Sequence, residues 1–293
     1  MFEQSVIAKM VAEIEATGDF KVLRRLTLDD VATSEAVGEN TSVGVVVDVE
    51  TTGVEPEQHK IIELALRRFR FDTAGVIVKV DRPHAWLQYR RSARQGDRGA
   101  DGPDRRRLGG QAIDEAAATK LLKSAAVVIA HHADFDRKFV ERRLPDAKGL
   151  AWACSCHEID WQAAGFHGVG LGWLLAQAGY FFNGAHRAGA DVDAVIALLR
   201  LELPTGGTSL KELTATASTP GWSVRADGAH FDVKDALKDR GYRWHDPSKT
   251  WRREIKDREA EEAWLNANVY APAARPRCAA PDIRLITWKE RFL

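Results

Sequence analysis

The chain has 293 residues, enough for one substantial domain and a smaller second one. Hydrophobic residues make up 45% and charged residues 29%, and the 42 Lys+Arg balance the 42 Asp+Glu, so the whole-molecule field attracts no polyanion and any nucleic-acid contact must come from a local basic patch. The three cysteines, Cys154, Cys156 and Cys278, are too few and odd in number for a disulfide framework and suit a reducing cytoplasm. The first residues, MFEQSVIAKMVAEIEATGDF, carry acids and lack the apolar core of a signal peptide, and no stretch approaches the ~18 apolar residues of a membrane span.

Over the opening 35 residues the spacing of Val6, Met10, Val11 and Ile14 predicts an amphipathic helix. Residues 42–49 (SVGVVVDV) read as a buried strand, and 61–71 (IIELALRRFRF) as a strand with one wet face. A turn at 73–75 leads to a third strand over 76–80, giving an antiparallel meander. Helices are expected over 111–124, 134–143, 171–178 and 191–201, with a buried strand at 125–130 (AAVVIA). Three strands followed by alternating helix and strand predict an α/β fold, a mixed sheet flanked by helices. The cluster Pro204-Thr205-Gly206-Gly207 is taken as the main boundary. Beyond it, strands at 222–225, 251–255 and 283–287, helices at 233–240 and 258–269, and a linker at 271–277 describe a small α+β unit. The expected organisation is therefore 1–40, an N-terminal helical extension; 41–203, the larger domain; and 204–293, the small α+β domain.

Three elements carry candidate chemistry. Asp48 and Glu50 lie two apart at the end of the first strand and so share one face, with the turn Thr51-Thr52-Gly53 after them. Two carboxylates placed together offer half a site for a hard cation, whereas a solvated strand end would carry the same pattern. The second element is His131-His132-Ala133-Asp134-Phe135-Asp136, after the buried strand. Phe135 and Phe139, at i and i+4, share the core face of a helix. Asp134 reads as its cap, while Asp136 is either a first-turn acid or a rim-facing ligand. The third is His186-Arg187-Ala188-Gly189-Ala190-Asp191, ahead of an apolar helix; a surface histidine with an N-cap aspartate is the plain alternative. Asp193, two residues further, should point elsewhere.

Taken together, VVVDVETTG, IIELA, AHHADFDRKFVERRL and HRAGADVDAVIALL, over about residues 43–201, resemble the DEDDh 3′→5′ exonucleases, the family of the proofreading subunit of bacterial replicative DNA polymerase. His132 stands where the family usually has Asn. The resemblance implies a ribonuclease-H-like fold and a metal-dependent nuclease that trims the 3′ end of DNA in repair or proofreading. An RNA or oligoribonucleotide exonuclease, or a catalytically weak nucleic-acid-binding protein of the same fold, are the alternatives. It implies two divalent ions, Mg²⁺ or Mn²⁺, since the donors are carboxylates. Asp48 would bridge both ions, Glu50 and Asp191 would serve the ion at the attacking water, and Asp136 the other. His186 would take the water's proton. Thr51, Thr52, Gly53, His132 and Phe135 would contact a single-stranded or frayed 3′ end, with a polymerase or repair protein as a further partner.

Residues 89–108 (YRRSARQGDRGADGPDRRRL) carry seven arginines and little to bury. They read as a basic loop tracking a phosphate backbone, as a disordered insertion, or, by the resemblance, as a local frameshift. Codons GCT GAC GGG CCT GAC CGA CGC, one permitted choice, would encode Ala100 to Arg106; read one base later they would give Leu-Thr-Gly-Leu-Thr-Asp, close to the segment the resemblance implies here. Cys154-Ser155-Cys156-His157 has no second ligand pair at zinc spacing and reads as a strand or loop packed near the site. Glu158 and Asp160 read as solvated or structural. The aromatic and basic residues of 231–255 read as the core of the small unit rather than a base-stacking surface, with Trp244 and Trp251 flanking a hairpin.

Overall fold

The computed structural model describes residues 4–28, 40–88, 112–270 and 280–293. The arginine-rich residues 89–108 and Cys278 lie outside these. Two compact units divide the chain: Met1–Thr216 with Phe292–Leu293, and Ala217–Arg291.

In the larger unit, helix α1 (Gln4–Glu15) is shorter than its periodicity suggests. A turn follows, with Gly18 at a φ of +78°, which residues with a Cβ rarely adopt. Val6, Ile7, Met10 and Ile14 of α1 are about half exposed. The short strand β1 (Arg24–Arg25) then pairs in parallel with a later one. The main sheet starts with β2 (Ser42–Thr51), β3 (Ile61–Phe71) and β4 (Ile77–Val80), the antiparallel meander, with β5 (His84–Leu87) also on β3. Helix α2 (Glu115–Lys123) is capped by the Asp114 carboxylate, which accepts from the Ala117 N–H. It leads to β6 (Val127–Ala130), α3 (Ala133–Arg143) and β7 (Trp152–Cys154). Then come α4 (Leu171–Gln177), β8 (Tyr180–Phe181), α5 (Ala188–Leu199) and α6 (Ser209–Ser218). The turn at 204–207 leads into α6, and the division between the units falls inside that helix.

The sheet order is β4-β3-β2-β6-β7, with β2, β6 and β7 parallel and β3 reversed. This is the mixed α/β sheet with helices on its faces that the element pattern predicts. Alternation along β2 decides which residue goes where. Val45, Val47 and Val49 pack with Leu122, Phe139, Val140 and Trp152 in one core. Asp48 and Glu50 fall on the opposite face, and α5 packs on β2 and β3. Phe69 lies so close to Gly44 that a Cβ there would come within 2.2 Å of its ring, so only glycine fits.

The smaller unit is a four-stranded antiparallel sheet, β10-β11-β9-β12, with two helices. Its strands are β9 (Gly221–Ala226), β10 (Arg243–His245), β11 (Thr250–Ile255) and β12 (Asp282–Ile286). Its helices are α7 (Lys234–Asp239) and α8 (Arg258–Leu265). Trp244 and Trp251 are a cross-strand pair on the β10–β11 hairpin, ring centroids 5.5 Å apart. Val224, Leu237, Tyr242, Ile255 and Leu265 form the core, with Trp222, Trp251 and Trp264 against it. Among the described residues no helix is long and apolar enough to cross a membrane.

Candidate active site

Three elements end at one rim. Asp48 and Glu50 lie near the C-terminal end of β2, and α5 delivers Asp191 in its first turn. One carboxylate oxygen of each lies within 4.8 Å of the other two. Asp191 is not the N-cap, a position held by Arg187. His186, just before it, adopts a φ of +66°, a left-handed conformation costly for a residue with a Cβ. It is close enough for its charge to favour the ionised forms of Glu50 and Asp191.

Asp136 comes from the first turn of α3. Its side chain is buried, close enough for its charge to act on Asp48, and its Oδ1 accepts from the Val49 N–H at 3.1 Å. That bond ties α3 to the backbone between the two strand acids. The cap is His132, without a side-chain cap bond; Asp134, expected as the cap, sits inside the helix beside His132 at 3.9 Å. This pairing raises the His132 pKa and lowers that of Asp134.

The electrostatics are those of a crowded anionic site. Burial, then Asp136, Asp191, Glu50 and Glu63, push the Asp48 carboxyl far above the ordinary carboxylate range. Burial also raises Asp136, opposed by the Val49 hydrogen bond. Glu50 and Asp191 rise chiefly through burial. Carboxylates so placed hold protons or a cation, because bare like charges in a desolvated rim repel strongly. An all-oxygen donor set of this kind fits hard divalent cations.

Glu63 was not anticipated from sequence. It lies opposite Glu50 in the β2–β3 register, is buried, and accepts from Arg187 Nε at 3.1 Å. Only the strand register brings it in; IIELA in sequence order does not.

The remaining candidates divide. Thr51 Oγ1 donates to the Gly53 carbonyl at 2.6 Å, and Thr52 Oγ1 lies 3.2 Å from His59 Nδ1. A Cβ on Gly53 would come within 2.5 Å of the His59 ring, so a side chain there would have to displace that ring. Phe135 is half-buried against Phe139, ring centroids 4.9 Å apart. The His132 ring faces Cys156 and His157. Asp193 points away, to Arg67 at 2.6 Å. Glu158 is structural, accepting from the Cys154 N–H at 2.7 Å, and Asp160 accepts from the Ala163 N–H.

No family model matches the chain, and no curated protein does. The solved structures that match do so at low similarity. A structure of exonuclease I gives a TM-score of 0.46 at 16% identity, over 85% of this chain and 63% of that one. Escherichia coli exonuclease I with a dA16 oligonucleotide gives 0.42 at 16% identity, covering 85% and 64%. A zinc-bound complex of the E. coli enzyme with single-stranded DNA gives 0.42 at 16% identity, covering 85% and 63%. The chain thus spans less than two thirds of the length of these proteins.

Proposed function

We propose that the protein is a metal-dependent 3′→5′ exonuclease that hydrolyses phosphodiester bonds at a single-stranded 3′ end, DNA rather than RNA. The observation that carries this reading is the convergence of Asp48, Glu50 and Asp191 within 4.8 Å, with Asp136 bonded to the backbone between the first two. The motifs that resemble the DEDDh exonucleases supply these same four acids and His186.

Asp48, Glu50, Asp136 and Asp191 would hold two divalent cations, Mg²⁺ or Mn²⁺. When bound, these supply Lewis-acid stabilisation to the attacking and leaving oxygens of an in-line displacement. The chain's own contribution is positioning and proton transfer. His186, on the loop ahead of α5, takes a proton from the attacking water, a task suited to an imidazole near neutral pH. The Val49 N–H holds Asp136 in one orientation, and the Arg187–Glu63 pair keeps a positive charge beside the acids. The nucleophile is water, so a 5′ mononucleotide leaves and the shortened strand keeps a 3′ hydroxyl.

The test is digestion of 5′-labelled single-stranded DNA and of RNA of the same sequence, with Mg²⁺, Mn²⁺ or EDTA. The expected result is a metal-dependent ladder shortening from the 3′ end, faster on DNA. A ladder on RNA alone would replace the substrate; binding of either strand without cleavage under any metal would make the protein a binding module.

A further inference from the structure

A second cluster of metal-ligating side chains lies on the β7 side of α3. It combines a residue at the start of α3 with two from the turn after β7. Cys156 Sγ lies 3.9 Å from His132 Nε2, and 3.8 Å from both Nδ1 and Nε2 of His157. The two imidazoles meet edge to face, centroids 5.6 Å apart and planes 78° apart. One donor atom from each residue lies within 4.8 Å of the others.

We infer that His132, Cys156 and His157 form a binding site for a borderline-soft divalent cation, Zn²⁺ above all, separate from the carboxylate centre. The donor set decides the class: one sulfur and two imidazole nitrogens suit zinc and its neighbours, whereas Mg²⁺ and Mn²⁺ prefer oxygen. Spacing agrees. Tetrahedral zinc, with Zn–S about 2.3 Å and Zn–N about 2.0–2.1 Å, sets sulfur and nitrogen about 3.6 Å apart, so the site closes by a few tenths of an ångström. His132 and His157 are exposed enough to move that far, while Cys156 is buried and anchored.

The surroundings match such a site. His132 presents Nε2 to the sulfur, and its Nδ1 faces the Asp134 carboxylate at 3.9 Å. A carboxylate behind a ligating histidine fixes the ring and strengthens it as a ligand. Cys154 is not a ligand in this arrangement; it is fully buried and its thiol donates to the His131 carbonyl at 3.5 Å. Three protein ligands on a solvent-facing rim leave a fourth position for water or an anionic group. Binding displaces the Cys156 thiol proton to solvent. It also links the turn after β7 to the start of α3, one helical turn before Asp136.

Cobalt substitution in the reduced full-length chain, with Mg²⁺ in excess to occupy the carboxylates, tests this. The wild type, Asp48→Asn and Cys278→Ser are expected to bind one equivalent of Co²⁺ with a thiolate-to-cobalt charge-transfer band, which Zn²⁺ then bleaches. Cys156→Ser and His157→Ala are expected to lose the band, and Asp134→Ala to weaken Co²⁺ binding about 10–100-fold. His157 is a surface residue, so its variant answers the question even if Cys156→Ser misfolds. No band in the wild type, or a band that survives in His157→Ala, would overturn the proposal. So would metal-free protein whose Cys154 and Cys156 are joined by a disulfide under the same reducing conditions. None of these readouts depends on nuclease activity, so the site and the proposed function fail separately.

Discussion

At Asp48 a carboxylate is held where ionisation is most costly, under α5 with four other acids acting on it. An amide of the same shape removes that repulsion and the function together. Asp48→Asn is therefore expected to melt at a higher temperature than wild type in EDTA, while its nucleotide release falls at least about 100-fold. Thermal melts and digestion rates on one preparation check both. A variant less stable in EDTA than wild type would deny that Asp48 is under electrostatic strain. His186 makes the complementary case. Replacing it with Ala is expected to lower kcat about 10²–10⁴-fold with little change in KM, and to remove one limb of the pH–rate profile. An equal loss carried by KM instead would assign His186 to substrate binding. The legibility of these residues depends on range. Asp48 and Glu50 could be paired from sequence because strand side chains alternate with period two. Glu63 could not, because it enters through the β2–β3 register, and the His132–Cys156–His157 cluster could not, because it joins residues from separate elements.

The strands and helices were legible where burial repeats cleanly along the chain. Within the run over 42–49, residues 44–47 are buried on both faces, as are Val127–Ala130 within the run over 125–130, and each belongs to a central strand. α1 was overextended because periodicity alone does not mark a stop, which Gly18 in its left-handed conformation supplies. β5 has only four residues, none fully buried, so its pairing with β3 leaves little trace in local pattern. α5 packs on the sheet through buried apolar residues such as Val192, Val195 and Ile196, and Asp193, which sequence flagged as pointing away, adds a polar contact. Asp193 accepts from Arg67, whose own side chain is almost fully buried on β3 and also donates to the Asp81 carbonyl. Removing the acid takes one hydrogen-bonded ion pair from a buried guanidinium, a larger loss than removing a surface charge. Asp193→Ala is expected to destabilise the larger unit by about 1–3 kcal/mol in denaturant melts. A change within a few tenths would mean that the pair does not fasten α5 to the sheet.

Over the whole molecule, protons and cations compete for the same acids. Asp48 and Asp136 have folded pKa values raised above the ordinary 3.8, so their contribution to stability is present below that value and is lost as pH rises towards about 9. His131 runs the other way: burial lowers its pKa from 6.5 to about 4, so its contribution is lost as pH falls through that window. The two oppose one another below pH 6.5; above it the His131 effect is absent, and His132, whose pKa is raised by Asp134, adds to the carboxyl loss. In EDTA the Tm is expected to fall between pH 6.5 and 9, and Mn²⁺ or Mg²⁺ to flatten that fall by replacing the protons. A metal-free Tm that does not change over that window would remove the argument for cation binding from electrostatics. The arginine-rich residues 89–108 bear on the same question from the gene. Resequencing that finds no compensating pair of indels relative to relatives around the codons for Ala100 to Arg106 would remove the frameshift reading and leave the segment a basic loop or insertion.

The most direct test of the account is release of the 3′-terminal nucleotide from single-stranded DNA, measured in Mn²⁺ and in EDTA for wild type and Asp48→Asn side by side. Release by wild type in Mn²⁺, with none in EDTA and none from the variant, is the predicted result. Equal release from both proteins, or release that persists in EDTA, would contradict a nuclease built on these carboxylates.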